Sequence, residues 1–159
     1  MTQTPLTIDK VHSQATFSLK KLGLITVKGV LTDFEGQIAF DENDLANSYF
    51  DVCIQANTID SGNPKRDEHL KTPDFFSVEK HPTICFKSSA INKASGQYIA
   101  TGRLTILQTV QEVEIPFDYQ QGTFSGTLSI NRLDYELGAK FPTVIVGKTV
   151  QISITCTAQ

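Results

Sequence analysis

Tryptophan is absent from this 159-residue chain, methionine occurs once and cysteine three times, whereas phenylalanine occurs ten times. A phenylalanine ring brings bulk without a polar atom that needs a partner, so a core or cavity built from it can be dry. Cys53, Cys85 and Cys156 are widely spaced and form no C-x-x-C pair. That pattern gives neither a zinc signature nor a disulfide framework. Cys156 falls in phase with Val150, Ile152 and Ile154 and reads as a small packed hydrophobe. Cys53 and Cys85 lie out of phase with their apolar neighbours, on the more exposed side. Nothing near any of the three would hold a thiolate, so no functional thiol is expected.

Clustered positive charge is also missing. The formal net charge is −3 and the pI near 5.5, and the densest basic points are Lys20-Lys21 and Lys65-Arg66. A nucleic-acid partner is therefore not expected. No run approaches the roughly 18 apolar residues of a membrane-spanning helix. The opening M-T-Q-T-P-L-T-I-D-K has no basic region, apolar stretch or small-residue cleavage site. The expected location is cytoplasmic, or periplasmic if a leader has been removed.

Catalytic motifs are equally scarce. The nearest string to a nucleophile elbow, G-T-F-S-G at residues 122–126, has the wrong spacing. No G-x-G occurs, which removes the dinucleotide fingerprint and the phosphate loop. His12 and Ser13 are adjacent in a strand pattern and so point to opposite faces. Asp67 and His69, two apart on an expected helix, do not share a face. His81 stands before Pro82 in a turn. No catalytic residue, metal site or cofactor is expected.

What the chain does have is period-two alternation, the mark of strands with one buried face. Inward rows run through Ala15, Phe17 and Leu19, through Val27, Gly29 and Leu31, and, after a change of phase at Thr32-Asp33 that reads as a bend or bulge, through Phe34, Ile38 and Phe40. Further rows pass through Phe50 to Ala56, Ile84 to Ser88, Tyr98 to Ile106, Val113 to Tyr119, Phe124 to Ile130 and Val150 to Cys156. Many one-faced strands with little helix leave a sandwich or a closed barrel. Inward glycines at Gly29, Gly36, Gly102 and Gly126 favour coiling and closure. The chain has the size and continuity of a single domain over residues 1–159.

One segment breaks the alternation. Asn63 is a good N-cap, Pro64 a good first helical residue, and Asp67 and Glu68 suit the positive end of the helix dipole. Asp67 and Lys71 stand at i, i+4 in the favourable order, and Pro73 ends the run. The spacing predicts a short helix from Pro64 to Lys71, followed by a turn carrying Phe75 and Phe76 as an end cap. Arg66, Asp67 and His69 read as braces pinning this insert to the strands.

The insert R-D-E-H-L-K-T-P-D-F-F (Arg66–Phe76), preceded by T-I-D-S-G (Thr58–Gly62) and followed by H-P-T-I-C-F-K-S (His81–Ser88), resembles the central signature of the YceI-like family. The resemblance runs from Thr7 to Thr157, through T-I-D-K-V-H-S, V-K-G-V-L-T-D-F-E-G-Q-I-A-F-D, G-R-L-T-I, I-N-R and V-G-K-T-V. The chain departs from the pattern at Pro5-Leu6, at Leu107–Val110 and at Tyr135-Glu136. Membership would imply an all-β, extended antiparallel, lipocalin-like barrel of about eight strands, whose bore takes up a long-chain isoprenoid or similar lipid as carrier, store or sensor. The expected ligand-contacting residues are Phe17, Phe34, Ile38, Phe50, Val52, Ile54, Leu70, Phe75, Phe76, Phe86, Leu104, Phe117, Leu128 and Ile152. A homodimer is compatible with the sequence. The competing reading is an enzyme acting on an amphipathic molecule, with Arg66, Asp67, His69 and Arg132 at the barrel mouth.

Overall fold

A computed structural model describes residues 3–159; Met1 and Thr2, the start of the N-terminal stretch read above, lie outside the described residues. Nine strands form one antiparallel sheet: β1 (Ile8–Lys21), β2 (Ile25–Leu31), β3 (Phe34–Ala39), β4 (Tyr49–Gln55), β5 (Thr83–Ala94), β6 (Gln97–Ile106), β7 (Thr109–Gln120), β8 (Thr123–Asn131) and β9 (Thr149–Ala158). Their order is β2-β1-β9-β8-β7-β6-β5-β4-β3. The sheet curls until its ends approach, with Leu6 bridged to Ile38 and Val30 to Asp60. The long β1 pairs with β2 through its second half, while the chain just before it meets β3.

Nine strands agree with the expectation of about eight, and Thr32-Asp33 is a break rather than a bulge. Asp33 takes a left-handed φ of 62°, a conformation short polar residues tolerate, and β2 and β3 separate there. Two glycines are needed where the wall bends. A Cβ on Gly29 would sit 2.3 Å from the Phe17 ring across the β1–β2 pair, and one on Gly102 would meet the Lys87 carbonyl at 2.3 Å, beside the register shift between Ser88 and Ala90.

The helix α1 (Pro64–Leu70) forms as the caps dictate: the Asn63 side chain accepts from the Lys65 and Arg66 amides. It stops one residue earlier than expected. The expected Asp67–Lys71 pair does not form, because the Asp67 carboxylate takes the Ser61 amide and hydroxyl instead. Lys71 faces Glu68 at 3.9 Å.

A second correction concerns the cysteines. Cys53 and Cys85 are joined in a disulfide. The β4–β5 register sets them directly opposite one another, with Cα atoms 4.1 Å apart. A separation of 32 residues concealed the pairing, since only the strand register brings them together. Cys156 is buried and free; burial raises its thiol pKa.

Candidate functional site: an apolar bore

Some inward rows are deeply buried even where they touch the interior space. On β6, Tyr98, Ala100, Leu104 and Ile106 are all buried. Other inward rows keep more surface. Phe17, Leu128 and Ile152 form one inward rung through the β1–β9–β8 register, and Val52 pairs with Phe86 in another. All five point inward and yet are only half-buried. Inward residues keep accessible surface only if they face a hollow. That hollow is a cavity of about 210 Å³ with an almost wholly apolar wall, larger than the engineered cavity of about 150 Å³ that stays dry and binds benzene.

All fourteen residues singled out from the sequence lie on its wall, from Phe17, Phe34, Ile38, Phe50, Val52 and Ile54 through Leu70, Phe75, Phe76 and Phe86 to Leu104, Phe117, Leu128 and Ile152. The structure adds others, among them Leu19, Ile84, Ile115, Phe124, Ile130, Leu137, Val146 and Ile154. Most of these sit in rows already evident as alternation. Leu137 and Val146 come from the loop between β8 and β9, where no periodicity marks them.

One end of the bore is a floor of aromatic rings. Phe50 meets Phe117 and Phe124 edge-on with centroids 5.3 Å from each, and Phe40 meets Tyr98 and Phe124 at 5.2 Å. The Tyr98 hydroxyl donates to Glu42 Oε1 at 2.6 Å, and this bond, with burial, pushes its pKa up to about 12.

At the other end the insert meets the β8–β9 loop. Phe75 stacks on Phe141 with centroids 4.9 Å apart, and His69 stands edge-on to both rings. The Asp74 carboxylate receives Lys140 Nζ and contacts His69 Nε2, each at 2.8 Å. The Lys140 hydrogen bond, then His69, holds the Asp74 pKa below the usual carboxylate value. Arg66 donates to the Ser61 hydroxyl and carbonyl, so Arg66 and Asp67 meet through Ser61 rather than directly.

Beneath this end lies Arg132, 1% exposed. Nε donates to the Gly147 carbonyl, one terminal nitrogen to Leu137 and Gly138, and the other to Phe141 and Val146, at 2.6–3.1 Å. All five N–H donors are used. Burial lowers the guanidinium pKa, and five carbonyl dipoles compensate the charge in place of a carboxylate. Arg132 therefore holds the loop rather than serving the bore mouth with a free donor. The adjacent Tyr135 is 2% exposed, and its hydroxyl has no hydrogen-bond partner among the described residues.

A curled antiparallel barrel, floored by aromatics, braced at its mouth by a short helix and hollow along an apolar bore, defines a lipocalin-like binding architecture. The comparisons with known proteins narrow that class. A YceI-like domain matches residues 6–158, and the chain belongs to that family. The UPF0312 protein ECA1782 of Pectobacterium atrosepticum is 34% identical over 104 residues, 65% of this chain and 54% of that protein. A second, from Vibrio parahaemolyticus, is 27% identical over 137 residues, 79% of this chain and 72% of that one. The chain thus spans about half the length of the first curated relatives it matches. Among solved structures, BcnA of Burkholderia cenocepacia superposes with a TM-score of 0.88 at 28% identity, over 96% of this chain and 99% of that one. A polyisoprenoid binding domain from Saccharophagus degradans, implicated in plant cell wall breakdown, superposes at 0.75 over 97% of each chain; at 12% identity this likeness is one of fold.

Proposed function

We propose that this protein is a binding module that holds a long-chain apolar molecule, isoprenoid or fatty-acid-like, in the bore, as a carrier or store. The observation that carries the reading is the half-exposure of inward Phe17, Val52, Phe86, Leu128 and Ile152 around an apolar cavity. The polyisoprenoid-binding neighbour supports the same ligand class. Each CH₂ buried there contributes about 0.8 kcal/mol. Fifteen to twenty carbons, about that many, offset an association cost of several kcal/mol and leave roughly micromolar binding or tighter. The cavity is smaller than the roughly 300–1,000 Å³ of typical ligand pockets, so a long chain requires the Phe17, Phe50 and Phe86 rings to turn aside.

The enzyme reading gains no support from the geometry. Arg66 and Asp67 are bound to Ser61, His69 to Asp74, and Arg132 to five carbonyls. Each of these groups is committed to a local structural partner. For location, we favour an oxidising compartment such as the periplasm over the cytoplasm, because disulfides persist there and Cys53–Cys85 is one. Thiol alkylation of the protein in intact cells reads this directly: blocked cysteines at 53 and 85 support it, and free thiols refute it.

Phe86→Trp tests the bore. It narrows the cavity and gives the chain its sole indole. Adding a long-chain fatty acid or polyprenol should shift the indole emission, and occupancy should fall relative to the parent protein. An emission that never responds, with no apolar molecule bound by the parent, defeats the reading.

A further inference from the structure

Of the eight large apolar side chains that stand exposed among the described residues, all but Val11 lie at the α1 end of the barrel. Five of them form one surface. Leu22, Leu24 and Ile25 make the tip of the β1–β2 hairpin, and Val144 and Ile145 belong to the loop that Arg132 holds. The Leu22 amide donates to the Ile145 carbonyl at 2.9 Å, and the Gly147 amide to the Lys20 carbonyl at 2.7 Å. Leu24 is 86% exposed and Val144 75%. Immediately beneath, Leu19 and Val146 line the bore, so the patch rims its mouth.

Charge is distributed just as unevenly. Residues 10–32 and 137–159 carry six lysines and no aspartate or glutamate, in a chain of net charge −3. These segments form β2, all of β1 after Asp9, and β9, neighbours in the sheet. Lys10 pairs with Asp33 and Lys140 with Asp74. Among the described residues, Lys20, Lys21, Lys28 and Lys148 meet no carboxylate at ion-pair distance. The other two at this end, Val110 and Leu133, sit instead beside Glu112, Asp134 and Glu136.

We propose that the hairpin tip and the 141–148 loop form a docking face for an anionic lipid bilayer, which sets the bore mouth against the membrane. Apolar tips entering the headgroup boundary, ringed by lysines meeting anionic lipid, are the two ingredients of interfacial binding. The acidic stretches around Val110 and Leu133 are not part of this face. A second copy of this chain fits the face less well, since pairing it with itself opposes like charges. That cargo crosses here rests on the apolar-ligand reading; the docking itself does not.

The test is sedimentation of the full chain with vesicles of phosphatidylglycerol mixed with phosphatidylcholine, against vesicles of phosphatidylcholine alone. Binding is expected to the anionic vesicles and to weaken with salt. The double variant Leu24→Asp, Val144→Asp should abolish it, and Lys21→Gln with Lys148→Gln should reduce it about tenfold or more. All four side chains are exposed and off the cavity wall, so melting temperature and uptake of a fatty-acid probe in solution should not change. Absence of anionic binding, or equal binding by both variants, overturns the proposal. So does a dimer in sedimentation velocity that Leu24→Asp dissolves. A protein that docks but takes up no probe upholds the docking face and refutes the ligand reading.

Discussion

At the scale of single residues, two buried polar groups at the mouth behave oppositely. Arg132 is fully satisfied, so Arg132→Lys, with fewer donors and no fork, strands several loop carbonyls. Each orphaned group costs about 1–3 kcal/mol, and a loss of about 3 kcal/mol or more is expected. At this chain length that lowers the melting temperature by roughly 2–4 °C for each kcal/mol. Tyr135 is the reverse case. Its hydroxyl is buried without a partner, and burial, with Asp134 nearby, pushes its pKa up to about 12. Tyr135→Phe removes the stranded group while keeping the ring, so thermal melting should be unchanged or rise by a few degrees, about 1 kcal/mol or more. A clear fall would show that the hydroxyl has a stabilising partner. The sequence marked Arg132 as a polar group for the mouth but could not assign its role, because its five acceptors are backbone carbonyls of a loop without periodicity.

At the scale of elements, the insert is tied to the β8–β9 loop through Asp74, between Lys140 and His69. The folded carboxyl has a depressed pKa. Its contribution is therefore present above the ordinary carboxylate pKa of about 4 and is lost as pH falls through the lower folded value. Asp74→Asn should melt earlier than the parent at neutral pH, and the two curves should converge in strong acid. Parallel curves across that range would remove Asp74 as a clamp. The helix itself was legible because Asn63, Pro64 and Pro73 act locally. Its partners were not: Asp67 is captured by Ser61 rather than Lys71, a choice that the loop path decides. The Cys53–Cys85 pairing was hidden for the same reason, since strand register is a long-range property. The break at Asp33 showed in the sequence as a change of phase, and only the backbone turn there made it two strands.

For the whole molecule, alternation placed the inward rows correctly but could not say whether they fill the barrel. The answer lies in the distribution of burial. Residues on β6 are deeply buried even where they line the bore, whereas Phe17, Val52, Phe86, Leu128 and Ile152 retain more surface toward the same space. That asymmetry depends on barrel diameter and on where rings such as Phe50 fold onto the floor, neither of which a single strand encodes. The central claim is that this space receives a long apolar chain. Native mass spectrometry of the protein, incubated with a long-chain polyprenol or fatty acid and freed of excess, tests it most directly. The account predicts a one-to-one complex that weakens when Phe86→Trp narrows the bore. A protein that remains bare at every ligand concentration, and in which Phe86→Trp changes nothing, would contradict it.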